Sequence, residues 1–232
     1  MASRRVFITG VGRGLGRAIA LGLHEHGDEV WGSTRDGGTD LPIAGCVALD
    51  LADESTIEAG LASLAQQIDG LDLLINCAAA NAQSFGASPG RSGPFDLDSA
   101  VFNSVLEVNV TGPMIVTRLA LPLLRAGADA MVLNVSSQLG SMELGGRFRG
   151  DAAYCVSKAA LNMLGLQTAA ALRSDRIGVV MMHPGWVQTD MGGANADLTV
   201  GEAAAAIIST VDTLTFRDSS RFIRWDGRDH PW

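Results

Sequence analysis

Cysteine is scarce in the 232 residues: Cys46, Cys77 and Cys155 are an odd number, widely spaced, with no C-x-x-C pair. That pattern offers neither a disulfide framework nor a metal cluster, and the three read as small buried residues in a reducing compartment. Basic charge is short as well. Seventeen Lys and Arg stand against 25 Asp and Glu, a net charge of −8, which excludes a nucleic-acid backbone as the main partner. No apolar stretch reaches the roughly 18 residues of a membrane helix. The run Val6-Phe7-Ile8 breaks at once into Thr9-Gly10, too brief for the apolar region of a signal peptide. A cytoplasmic protein with no membrane partner is expected. No repeat or linker divides the chain, so residues 1–232 are read as one domain. With 47% hydrophobic and 18% charged residues, disorder is excluded too.

What is present is an alternation of short apolar runs and longer helical stretches. The spacing predicts strands over Arg5–Thr9, Glu29–Thr34, Cys46–Leu49, Leu71–Asn76, Ala130–Val135, Gly178–His183 and Arg221–Trp225. Helices are predicted near Leu15–His26, Glu54–Ile68, Leu97–Arg125, Ala152–Arg173 and Val200–Leu214. Near-continuous apolar strands alternating with helices imply a parallel sheet covered on both faces. Right-handed crossovers make it a doubly wound α/β sheet of Rossmann type, with ligands beyond the carboxyl ends of the strands.

The first strand runs directly into Thr9-Gly10-Val11-Gly12-Arg13-Gly14-Leu15-Gly16, followed by an amphipathic helix. Glycines let the backbone approach a pyrophosphate, and the helix amino terminus offers unpaired N–H groups and a favourable dipole. The spacing is G-x-x-x-G-x-G, neither the strict G-x-G-x-x-G fingerprint nor a Walker A loop. A dinucleotide fits this strand-to-helix position, and Thr9, Gly10, Arg13, Gly14, Leu15 and Gly16 are its candidate contacts. At the second strand's tip stand Thr34, Arg35 and Asp36. Thr34 occupies the register where a carboxylate would select NAD(H), and the arginine beside it favours NADP(H), with Arg13 as a second cation. NAD(H) stays open through Asp36. Asp50, with Leu51, ends the third strand, where its carboxylate could meet the adenine amino group or merely cap the next helix.

Tyr154, the chain's only tyrosine, opens a helix in Tyr154-Cys155-Val156-Ser157-Lys158. Residues four apart share a helix face, so phenol and ammonium share one pocket. A free phenol ionises near pH 10, and the lysine together with an oxidised nicotinamide is expected to lower that pKa. Asn134-Val135-Ser136-Ser137 brings hydroxyls to the same sheet edge, and Asn109 is a polar residue in an otherwise apolar helix.

Together these segments resemble the short-chain dehydrogenase/reductase family. Thr9–Gly16, Asn76–Ala79, Asn109, Ser136–Ser137, Tyr154–Lys158 and Pro184–Met191 follow in family order over nearly the whole chain. The segment His183–Met191 and the ending Trp225-Asp226-Gly227 … Pro231-Trp232 are similar to the C-factor-like and sniffer-like carbonyl reductase branch. The resemblance implies that Tyr154 is the acid–base group, and that Lys158 bonds the nicotinamide ribose. It implies that Ser137 orients the substrate oxygen (Ser136 if the strand register differs) and that Asn109 holds a relay water. Pro184, Gly185 and Val187 would line the carboxamide, Thr189 would lie near the phosphates, and Asn76 and Ala78 would line the cofactor cleft. It also implies a homodimer or homotetramer built on the long apolar helices. Two features depart from the family. Ala79 stands where a glycine is usual, which narrows the backbone's approach to the cofactor. The segment Gln138–Ala153 is long, and its Gly145–Gly150 stretch is either a substrate loop or a partner-contacting insert. Met142, Leu144 and Met191 point to a hydrophobic carbonyl. The rival reading is a cofactor-sensing regulatory or signalling protein with little turnover.

Overall fold

The computed structural model describes residues 3–88, 90–147 and 150–232. Seven strands form one sheet in the order β3-β2-β1-β4-β5-β6-β7, every neighbouring pair parallel. They are β1 (Arg5–Thr9), β2 (Glu29–Thr34), β3 (Gly45–Ala48), β4 (Leu73–Asn76), β5 (Met131–Val135), β6 (Gly178–His183) and β7 (Phe222–Arg224). All seven expected strands form, within one or two residues at each end. The order reverses between β1 and β4, and that crevice is where such sheets take ligands.

The pleat sorts the apolar runs between two faces. Phe7 packs with Val47, Leu74, Val132 and Val179 on one face, and its neighbours Val6 and Ile8 pack with Val30, Leu73, Leu133 and Val180 on the other. Helices α1 (Gly14–Glu25) and α6 (Val200–Val211) cover the second face. Helices α2 (Glu54–Ala65), α4 (Gly112–Ala126) and α5 (Ala152–Ala171) cover the first. Each large side chain that becomes fully buried, such as Phe7, Ile8 or Leu74, contributes about 1.5–3 kcal/mol. An apolar side chain is therefore useful on every strand position, which explains why the strands do not alternate.

One predicted helix, Leu97–Arg125, is divided. It begins as α3 (Ser99–Leu106), widens into a π turn over Glu107–Thr111 and continues as α4. Pro113 accounts for the change. It has no N–H for the Asn109 carbonyl, and its ring would collide with that carbonyl in a regular α-helix. The wider turn moves the bonding on by one residue, and Gly112 N–H reaches back to Glu107. Asn109 thus sits on a local defect in an apolar helix. The Gly145–Gly150 stretch includes Phe148 and Arg149, which lie outside the described residues.

Candidate active site

The glycine turn is built for close backbone approach. Gly10 has φ +80°, and a Cβ there would lie 2.8 Å from the Ala78 Cβ, so the turn presses directly on the tip of β4. A Cβ at Gly16 would overlap the Gly10 carbonyl oxygen. Gly14, with φ +56°, opens α1 and faces the Thr189 side chain, whose methyl lies 3.6 Å from a Cβ placed there. Leu15 follows, half-buried. No side chain caps α1: Arg13 stands at the cap position in extended conformation, and the first N–H groups keep their capacity for an anion. Backbone, dipole and crevice all fit a dinucleotide pyrophosphate.

Two expected contacts do other work. Thr9 is buried, and its hydroxyl accepts hydrogen bonds from the N–H groups of Cys77 (3.0 Å) and Ala78 (3.2 Å), joining β1 to the loop after β4. The Asn76 amide donates to Asn134 Oδ1 at 2.8 Å and to Thr117 Oγ1 at 3.2 Å, which leaves Asn76 between β4, β5 and α4. Both side chains shape the crevice rather than face into it. Ala79 has an ordinary negative φ, so this backbone does not require the glycine usual there.

At the tip of β2, the single Thr34 hydroxyl proton is shared between Asp36 Oδ1 (2.9 Å) and the Gly38 carbonyl (3.0 Å). Asp36 Oδ1 also accepts from Gly38 N–H at 3.1 Å. These bonds, the Gly38 N–H first, hold its carboxyl below the usual range. Arg35 beside it is exposed. Arg13 pairs with Asp190 at 2.7 Å, and both side chains are exposed. After β3, Asp50 accepts from Ala52 N–H at 3.0 Å, while Asp53 caps α2 by accepting from Ser55 N–H. Leu51 does not present its side chain to the crevice. It is buried against Gly112 in the core, which leaves only its backbone near the cofactor cleft.

Tyr154 enters from the first turn of α5 and is half-buried. The ammonium of Lys158, one turn on, is buried, lies 5.6 Å from the Tyr154 ring centroid and donates to the Val135 carbonyl at 2.8 Å. Ser137 follows β5, its Oγ accepts from Leu139 N–H at 3.1 Å, and it lowers the phenol pKa. The register question between the two serines has a physical answer. Ser136 Oγ donates to Asn162 Oδ1 at 2.6 Å beneath α5, so Ser137 is the hydroxyl beside Tyr154. The protein's own groups push the Tyr154 phenol the other way from the lysine and oxidised nicotinamide expected to act on it. Burial pushes the phenol pKa up, with Asp151, Cys155 and Cys77 adding to the rise and only Ser137 pulling down. The Lys158 ammonium is directed at a carbonyl, and burial lowers its own pKa to about 8.

Asn109 is fully buried and its amide makes three hydrogen bonds. Its Oδ1 accepts from Ala80 N–H at 2.8 Å, and its Nδ2 donates to the Ala80 carbonyl at 2.7 Å and to Ser157 Oγ at 2.9 Å. Ser157 Oγ in turn donates to the Tyr154 carbonyl at 2.8 Å. Both amide protons are thus used, and Oδ1 takes the Ala80 N–H. The Asn109 carbonyl loses its usual helical donor at Pro113, which suits it to hold a water. Ser157 and Asp151 are working residues that sequence reading passed over. Asp151 was legible, because an aspartate three residues before Tyr154 is a helix cap.

After β6, Pro184 and Gly185 (φ +90°) turn the chain across the edge of the sheet. Val187 is buried and bridges to Leu198, which brings Thr189 over the glycine turn. Glu143 N–H donates to the Trp232 backbone oxygen at 2.6 Å, joining the C-terminal stretch to the segment after Ser137.

A parallel sheet with a glycine turn at its crossover and a Tyr–Lys–Ser cluster beyond its carboxyl edge defines a nicotinamide-dependent oxidoreductase. The short chain dehydrogenase family model matches residues 4–198, and the chain belongs to that family. It is 31% identical over 235 residues to the 1-hydroxy-2-glutathionyl-2-methyl-3-butene dehydrogenase of Rhodococcus sp. strain AD45, covering 98% of this chain and 99% of that one. It is 39% identical over 140 residues to the C-signal protein of Myxococcus xanthus, covering 59% and 82%. The NADPH-bound carbonyl reductase from chicken fatty liver superposes with a TM-score of 0.90 at 28% identity over the full length of both chains. These relatives favour NAD(P)(H)-dependent hydride transfer between cofactor and a carbonyl or alcohol over a sensor without turnover.

Proposed function

We propose that this protein is an NADPH-dependent carbonyl reductase in which Tyr154 gives the proton. The observation that carries the reading is the Tyr154 phenol, kept protonated by burial, with the Ser137 hydroxyl against it and the Lys158 ammonium behind it. A bound nicotinamide supplies the hydride. The chain supplies the rest. Ser137 holds the carbonyl oxygen of the substrate and polarises it. The phenol donates its proton to that oxygen as negative charge develops there. Lys158 Nζ would bond the ribose, and a water on the Asn109 carbonyl would return the proton to Tyr154 from solvent.

Gly10, Gly14, Gly16 and the open amino terminus of α1 would hold the pyrophosphate, with Ala78, Pro184, Gly185, Val187 and Thr189 along the cleft and Asp50 at the adenine. Selection of NADPH rests on charge. Asp36, the carboxylate that would favour NADH, already has its Oδ1 taken by Thr34 and Gly38, while Arg35 stands exposed beside it. Exposed Met142 and Met191 support a hydrophobic carbonyl substrate. Exposed Met114 on α4, with Val156 and Met163 on α5, supports a homodimer or homotetramer across those helices.

A panel of aldehydes, ketones and quinones, followed by cofactor absorbance with NADPH and NADH, tests the reading. Oxidation of NADPH by at least one carbonyl is expected. Saturating NADPH with no turnover on any class would overturn it.

A further inference from the structure

Tyr154 is held at both ends of its own peptide, and both holds lead to the same short segment. Its carbonyl receives Ser157 Oγ (2.8 Å), which is bonded to Asn109 (2.9 Å), and Asn109 clasps both backbone groups of Ala80. Its N–H donates to Asp151 Oδ1 at 3.0 Å, while the other oxygen of that carboxylate accepts from Ala82 N–H at 2.7 Å. Asn109 and Asp151, more than forty residues apart in sequence, thus grip Ala80 and Ala82 and pin the loop after β4 to the turn of α5 that carries the phenol.

We propose that Asp151 is a positioning residue for the reaction, which fixes Tyr154 by bridging the start of α5 to Ala82. This rests on the reading of Tyr154 as proton donor. An ordinary helix cap needs one acceptor oxygen, and serine or asparagine serves as well as aspartate. Here both oxygens are used, and the second one leaves the helix altogether. That second bond is what a cap alone does not explain. The grip matters because proton transfer depends steeply on the separation of donor and acceptor, and a displacement near 1 Å can cost about 10²-fold.

Charge adds a second consequence. Asp151 at the cap of α5, Cys155 on α5 and Cys77 in the loop after β4 oppose ionisation of the phenol. Ser137 from the end of β5 acts in the other direction, and the Lys158 ammonium lies behind the ring. Removing the negative charge of Asp151 therefore makes the phenol easier to ionise, and the loss of reductase activity at high pH begins earlier.

Asp151→Asn is the informative variant. It keeps an oxygen for the Tyr154 N–H, puts an amide that cannot accept toward Ala82, and is neutral. With the carbonyl substrate and NADPH, kcat should fall about tenfold, the alkaline limb of the kcat profile should move to lower pH, and NADPH affinity by calorimetry should be unchanged. Asp151→Ser, which retains only the cap, should behave alike and guards against a folding defect in either one. Parental kcat and pH profile in both variants, with only a lower melting temperature, would overturn the proposal. Tyr154→Phe measured beside them separates the failures. Parental turnover there overturns the donor reading and this proposal with it.

Discussion

The Lys158 ammonium and the Val135 carbonyl are joined by a 2.8 Å hydrogen bond inside the protein, between α5 and the end of β5. A buried ammonium with one neutral acceptor is poorly solvated, and burial brings its pKa down to about 8. In the unfolded chain a lysine keeps its proton to about pH 10.4. Between those values the unfolded state binds more protons, so this group makes stability rise with pH, and its cost is fully present below about pH 8. Tyr154 acts the other way once pH passes about 10, where the unfolded phenol ionises and the folded one does not. The window to read is therefore pH 8 to 10. Denaturant titrations of ligand-free parent and Lys158→Met should show the parent gaining on the variant across it, by up to about 2–3 kcal/mol. A constant difference would mean that the ammonium is hydrated.

The proposed preference for NADPH rests on the tip of β2. The expected result for the parent is NADPH binding at least about tenfold tighter than NADH, or about 1.4 kcal/mol. Arg35→Ala should weaken NADPH and leave NADH nearly as it was, because only NADPH carries the phosphate the guanidinium would meet. Calorimetry with both cofactors decides it, and equal affinities in the parent would defeat the assignment.

Assembly follows from exposed apolar side chains on two adjacent layers. Met114, Val156 and Met163 stay accessible on α4 and α5, and Met163 is more than half exposed. Light scattering at micromolar concentration should give a dimer or tetramer, and Met163→Glu should shift it toward monomer. A parent that is monomeric throughout would contradict this.

The sheet was legible because burial on both faces leaves near-continuous apolar runs, and all seven appear where the sequence places them. The division of Leu97–Arg125 was also written in the chain, at Pro113, but its effect falls four residues upstream on a carbonyl that no side-chain pattern displays. Gly10 and Gly16 were readable as close-approach positions. The inward orientation of Thr9, Asn76 and Leu51 was not, because a strand tip's last side chain can turn either to the ligand or to the neighbouring strand. The pull of the protein's own groups on the phenol was hidden for a related reason. Sequence places a lysine within reach of Tyr154, yet the burial that raises the phenol and lowers the ammonium depends on packing.

The sharpest outcome concerns the phenol itself. Tyr154→Phe removes one hydroxyl and retains a ring that fills the same half-buried space, so fold and cofactor binding should survive. With the proton donor gone, kcat should drop by ~10²-fold or more. Lys158→Ala should lower activity too, but it should also weaken NADPH, because the ammonium is assigned to the ribose. The contrast between the two variants distinguishes chemistry from packing. A tyrosine that merely fills space would lower the melting temperature and spare turnover. Purified Tyr154→Phe protein that reduces the carbonyl near the parental rate, with NADPH bound normally, would remove Tyr154 from the mechanism. Ser137 and the water on the Asn109 carbonyl would then have no proton donor to serve.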